Sequence, residues 1–183
     1  MANINNKTYR LHIFDKLVTE SEFVMPVIPK YKGDIPEKLS PFNNAVAQKR
    51  YDGTPHFYLN DKEFIRVLTS PEKYLEILKR FPSVIAPDFS QYIDMLRPMR
   101  LYHCFLNKAL AAYWASNGVN VIPNVTWSTP DSYDYSFAGI ESNGLIVINC
   151  TGVKKSGYSK PTARIETPRR EPYPRQNLCR ILS

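Results

Sequence analysis

The chain is poor in the residues that usually announce a chemistry. It has three cysteines in 183 residues, Cys104, Cys150 and Cys179, with no CxxC pair and no cluster with a histidine. His103 and Cys104 are adjacent, but successive helix residues point about 100° apart, so they do not chelate together. An odd, scattered set reads as reduced, buried thiols rather than a disulfide framework or a zinc site. There is no glycine-rich phosphate loop, no Walker sequence and no nucleophile–base–orienter triad. No apolar run approaches the roughly 18 residues needed to cross a bilayer. The polar start, Met1 to Arg10, lacks the apolar core of a signal peptide. These absences point to a cytoplasmic protein with no membrane partner, and they name no cofactor and no metal.

What is present fits one globular domain. The hydrophobic fraction is 43% and the aromatic fraction 13%, too high for a disordered chain. The net charge of +7 is unevenly spread. Residues 1–152 carry 16 Lys/Arg against 15 Asp/Glu, whereas 153–183 carry 8 against 2. A near-neutral body is followed by a strongly basic tail.

Residues 1–54 form an irregular lead-in. Prolines at 26, 29, 36 and 41 remove backbone donors and push their neighbours extended, so this segment is expected to wrap the domain. From 55 to 153 a regular pattern follows. "HFYL" reads as a strand, and "DKEFIRVL" as a helix capped by Asp61. Ser70-Pro71 opens a second helix. "SVIA" is a second strand and "VNVIPNVTW" a third, weakened by Pro123; "GLIVIN" is a fourth. Pro98 kinks or opens the helix "MRLYHCFLNKALAAYWAS", which has Tyr102, Phe105, Leu106 and Tyr113 on its apolar face. Arg100, Asn107 and Lys108 are expected to point elsewhere, and Asn117-Gly118 stops the helix. "SYDYSFAGI" is expected as a short strand or a loop with one turn. The fold class is therefore α/β. Parallel β-α-β-α-β units resemble a partial (β/α) barrel or a small open sheet, with an extended N-terminal wrap.

Such folds bind ligands at the carboxyl ends of their strands. Those ends hold Asn60 and Asp61, then Asp88 and Ser90 with Tyr92 close behind, then Trp127 and Ser128, then Asn149 and Thr151. Two readings stay open. Asp61 and Asp88 are a pair of carboxylates for acid–base or metal-assisted chemistry, or they are caps of the helices that follow.

Four stretches together resemble a known family: "PHFYLND", "EKYLEILKRF" running into "SVIAPDFSQY", "ALAAYW" with "NGVNVIPNVTW", and "FAGI". They are similar to an uncharacterised family of bacteria, phages and mobile elements, marked by a PDFS-x-Y motif. The resemblance covers roughly residues 40–153. The matching hallmark positions are Pro87, Asp88, Phe89, Ser90, Tyr92, Pro123, Trp127, Gly139 and Ile140. It implies a phage or mobile-element setting, and with the strand-end rim the leading reading is an accessory protein that binds a ligand or macromolecule there. It supplies no reaction; one alternative is a phosphodiester hydrolase using Asp61 and Asp88 with a divalent metal. Another is a module that binds a host or phage protein.

After Gly152 the chain leaves the family pattern for a proline-containing basic tail, 154–183. Lys154, Lys155, Arg169, Arg170 and Arg175, interleaved with Tyr158 and Tyr173, suit phosphate neutralisation and base stacking. Nucleic-acid contact is one reading of this composition; an ordinary solvated tail, or the replacement end of a truncated longer ancestor, is the plainer one.

Overall fold

The computed structural model describes residues 10–149. Its elements are α1 (Leu11–Phe14), β1 (Thr19–Glu20), β2 (Met25–Pro26), β3 (Leu39–Pro41), α2 (Phe42–Ala47) and β4 (Thr54–His56). Then come α3 (Asp61–Phe64), α4 (Arg66–Thr69), α5 (Pro71–Leu78), β5 (Val84–Ile85), α6 (Arg97–Ser116), β6 (Val121–Ile122) and α7 (Tyr133–Phe137).

The architecture is mixed α/β with small parallel sheets and no closed barrel. β3 pairs with β4 and β5 with β6, both in parallel. The two pairs meet where the Thr54 and Ser83 hydroxyls share a buried hydrogen bond of 2.6 Å. Beyond β6, Asn124 and Val147 form a parallel bridge, through Val147 N to the Pro123 carbonyl at 2.9 Å and Val125 N to the Val147 carbonyl at 3.0 Å. Regular pairing of β6 stops at Ile122, as Pro123 demands, because proline brings no N–H to a ladder. Of the fourth expected strand, the described residues show bridge positions at Ile146 and Val147.

Several sequence expectations need correction. The proline-rich lead-in does not only wrap; it supplies β3, which pairs with β4 alone and so sits where edge strands tolerate proline. It also supplies the antiparallel pair β1–β2. The first strand ends at His56, not Leu59. The helix after it splits into α3 and α4, and its cap is Asn60, whose side chain accepts from Lys62 N while Glu63 reaches back to the Asn60 N–H. Ser70 makes no side-chain cap, although Pro71 opens α5 as expected. The segment before Phe137 is a 3₁₀ turn followed by α7.

The largest correction concerns α6. Pro98 opens this helix, and Gly118 at φ +90° follows its end. Yet Arg100, Asn107 and Lys108 are buried while Tyr102 is exposed. The helix runs through the domain with α1, β2, α7 and β6 against it, so polar groups are carried inside on several faces. Its far half buries Leu106, Leu110, Ala111 and Trp114 in the main core. There Trp114 lies 5.5 Å from Phe57, which stacks on Phe42 at 4.6 Å.

Gly139 locks the N-terminal hairpin to the body. At φ +76° its carbonyl accepts from Ile28 N at 2.8 Å, and its N–H donates to the Glu20 carboxylate. A Cβ here would lie 2.2 Å from the Pro26 carbonyl oxygen, so only glycine fits.

Candidate functional site

Four chain segments end at one rim. Asp88 stands three residues past β5, Asn124 two past β6, Asn149 two past the Val147 bridge and Tyr58 two past β4. The Asp88 carboxylate accepts from Asn124 Nδ2 at 2.9 Å, from the Thr126 hydroxyl, and from Asn149 Nδ2 at 3.2 Å. Asn124 and Thr126 reach it together because alternate residues of an extended segment share a face. The Tyr58 hydroxyl donates to Asn124 Oδ1 at 3.2 Å, and its ring stacks on His56 at 5.0 Å.

The loop after Asp88 is fastened residue by residue. Asn107 of α6 grips the backbone of Phe89, accepting from its N–H at 2.7 Å and donating to its carbonyl at 3.2 Å. Asp61, at the first position of α3, accepts from the Ser90 hydroxyl at 2.9 Å and from the Ser90 N–H at 3.2 Å. His103 Nδ1 lies 2.6 Å from the Ser90 carbonyl. A carbonyl only accepts, so Nδ1 carries the hydrogen. Gln91 Nε2 donates to the Thr126 carbonyl at 2.8 Å, closing the loop against the end of β6.

Burial raises the Asp88 carboxyl above the ordinary aspartate value; the three donors oppose that, and the negative charge of Asp61 adds to it. The residue as a whole is half-buried. Burial lowers the His56 ring. It also lowers the fully enclosed Lys108 ammonium, which donates to the Ser136 carbonyl at 2.9 Å. Asn124 and Thr126 also line a small cavity, together with Gln91, Cys104, Asn107, Lys108 and Ser136.

Of the residues expected from sequence, Asp88, Asp61, Ser90 and Asn149 are brought together. Asp61 is not the cap of α3, which is Asn60; its oxygens accept from Ser90. Trp127 stacks on Phe137 at 6.1 Å and meets Tyr133 edge-on, and Ser128 N donates to Ser132 Oγ at 3.0 Å. Both belong to the packing of the 130–137 turn. Tyr92 is exposed two residues beyond Ser90. Thr151, Lys154, Lys155, Arg169, Arg170 and Arg175 lie outside the described residues. Sequence reasoning missed Asn124, Thr126, His103, Asn107, Tyr58 and Gln91. The Asn-x-Thr spacing after an apolar run, and His103 and Asn107 four apart on one helix, were the available signals.

Among the described residues no group of three His, Cys, Asp or Glu side chains is placed to hold a metal ion. Two of the donors around Asp88 reach Oδ1 and one reaches Oδ2. No helix among the described residues is long and apolar enough to cross a membrane.

A parallel α/β sheet whose strand ends converge on one hydrogen-bonded aspartate defines the class of protein. The profile of the domain of unknown function DUF4417 matches residues 19–164, and the chain belongs to that family. It is 35% identical over 104 residues to the Gene 1 protein of Mycobacterium phage L5, and likewise to the Gene 1 protein of Mycobacterium phage D29. Those matches cover 57% of this chain but 45% and 38% of the two phage proteins, so the chain spans less than half of their length. No solved structure matches it.

Proposed function

We propose that the protein is an accessory protein of a phage or mobile element, acting in the host cytoplasm, that binds a ligand or macromolecule at the strand-end rim. Asp88 is its recognition carboxyl. The observation that carries this reading is the condition of that group. Three donors from two further strand ends converge on it, burial strengthens its hold on a proton, and the residue is half-buried rather than sealed in the core. Burying a carboxyl costs stability, and such groups concentrate where a protein binds or reacts. Protonated, Asp88 offers a donor; ionised, it accepts. An amide or nucleobase edge, which pairs a donor with an acceptor, complements either state. If the partner is a nucleic acid, the basic residues Lys154, Lys155, Arg169, Arg170 and Arg175 supply the phosphate contacts.

The test is a thermal-shift and fluorescence-anisotropy panel on the full chain. Its probes are free nucleotides, single- and double-stranded DNA and RNA oligomers, and Mg²⁺ or Mn²⁺ alone. A rim ligand raises the melting temperature of the wild type and fails to do so with Asp88→Asn. If every probe that binds wild type binds Asp88→Asn and Asn149→Ala equally well, the rim is not the site. Metal-dependent cleavage of DNA that Asp88→Ala abolishes while staying folded favours the hydrolase instead.

A further inference from the structure

Directly after the PDFS loop the chain exposes Tyr92, Ile93, Leu96, Met99 and Tyr102, with Ile93 and Leu96 open to 78% and 72%. These positions form one surface. A turn closed by Met95 N to the Tyr92 carbonyl at 3.1 Å carries Ile93, and Met99 N to the Leu96 carbonyl at 2.9 Å starts α6. Leu96, Met99 and Tyr102 then recur every three residues, so they line one side of the helix start. Nothing in the described fold packs over them, whereas the opposite side of α6 is buried.

We propose that this face is a two-fold interface with a second copy of this chain. Three observations favour that occupant. The exposed side chains offer about 600 Å² per copy, or about 1,200 Å² for two, the lower end of a specific interface and large for a monomer's surface patch. Its composition, two tyrosines and a methionine with aliphatic neighbours, is that of an interface centre. Its rim carries both signs: Asp94 and Arg97 are exposed three residues apart, and Arg97 makes only a long, exposed ion pair with Asp131 of its own copy, at 3.8 Å, which an intermolecular partner can replace. A two-fold axis through Leu96 brings Asp94 of each copy towards Arg97 of the other. Residues 10–149 carry 15 Lys/Arg and 15 Asp/Glu, so the net charge of this body does not oppose its association. The proposal does not rest on a ligand at the rim.

Sedimentation equilibrium of the full chain tests it. The wild type sediments as a dimer, and Leu96→Asp or Ile93→Asp weakens association at least tenfold while far-UV circular dichroism is unchanged. Asp94→Arg and Arg97→Asp each weaken association, and the double charge swap restores it. Three results overturn the proposal. One is a wild type that stays monomeric to several hundred micromolar, including a monomer whose residues 92–102 are protected from hydrogen exchange because another part of the chain covers them. The second is a dimer indifferent to both apolar substitutions. The third is a failed rescue by the charge swap, which shows that Asp94 and Arg97 do not face each other across a two-fold axis here.

Discussion

Asp61 accepts the Ser90 hydroxyl at 2.9 Å, across 29 residues of sequence. This bond ties the first turn of α3 to the loop that follows β5, and it explains why an aspartate stands just inside a helix already capped by Asn60. The same loop is held by Asn107 and His103 from α6 and by Gln91 to the end of β6. The PDFS stretch is therefore a pre-formed platform that presents Asp88, and the carboxylate of Asp61 supports it from outside.

Breaking that support has a defined cost. Asp61→Ala leaves the Ser90 N–H and hydroxyl without their acceptor at a half-buried position, for a loss of about 1–2 kcal/mol; Ser90→Ala loses about 1 kcal/mol. Because both substitutions remove one interaction, the double variant falls short of the sum by roughly 1 kcal/mol. Urea unfolding of the four proteins measures the cycle. Strict additivity excludes the bond as a contributor.

Asp88 makes stability depend on pH in an unusual direction for a carboxyl. Its folded-state proton affinity exceeds the unfolded value, so the folded chain holds the proton more tightly. The contribution is complete below the ordinary aspartate value, near 4, and is lost as pH rises through the higher folded-state value. Asp88→Asn keeps an acceptor for Asn124 and Thr126 and has no proton to lose. Its stability relative to wild type therefore grows as the pH is raised from about 4. Denaturation at a series of pH values follows the difference; a gap that shrinks over the same range contradicts the raised value.

Much of this rim was legible in the sequence, because short apolar runs such as Ser83–Ala86 and Val119–Ile122 can only be buried strands when polar residues close them. Their ends located Asp88, Ser90 and Asn149. What stayed hidden has a physical cause in each case. A helix enclosed on several faces obeys no single polar–apolar boundary, so Asn107 and Lys108, read as outward, turned out to be buried. Asn107 is stable inside because both ends of its amide are spent on the Phe89 backbone. β3 was concealed by prolines at 36 and 41, which exclude a central strand but permit an edge. Trp127 sits next to a site residue in sequence, yet its ring turns to Phe137, and nothing in an isolated motif tells a stacking platform from a core wedge.

Gly139 and Gly118 share a positive φ but differ in what surrounds them, which separates strain from collision. A Cβ at Gly118 meets nothing within 4 Å, so Gly118→Ala costs only the left-handed penalty, about 1–2 kcal/mol. Gly139→Ala adds a clash with the Pro26 carbonyl and breaks the fit of the N-terminal hairpin, and is expected to exceed about 3 kcal/mol. Hydrogen exchange at Ile28, whose N–H donates to Gly139, reports the hairpin directly: it accelerates in the second variant and not in the first. Equal losses would show that the backbone yields and that the close approach has no consequence.

Lys108 provides the opposite titration from the same neighbourhood. Burial lowers its folded-state value below the ordinary lysine value, with Cys104 and Glu20 pulling weakly the other way. The folded chain then binds this proton less tightly than the unfolded chain. The resulting penalty is full below the folded value and is relieved as pH climbs from there towards the ordinary value near 10.4. Lys108→Met removes the titration and sacrifices one bond, to the Ser136 carbonyl, worth about 1–2 kcal/mol with a charged donor. Wild type should therefore gain on Lys108→Met with rising alkaline pH, while it loses against Asp88→Asn over the acid-to-neutral range. Unfolding curves of the three proteins collected across both ranges test the pair of slopes together. A wild-type advantage over Lys108→Met that does not change with pH would mean that the ammonium is hydrated within the fold and that its burial is not what sets its charge.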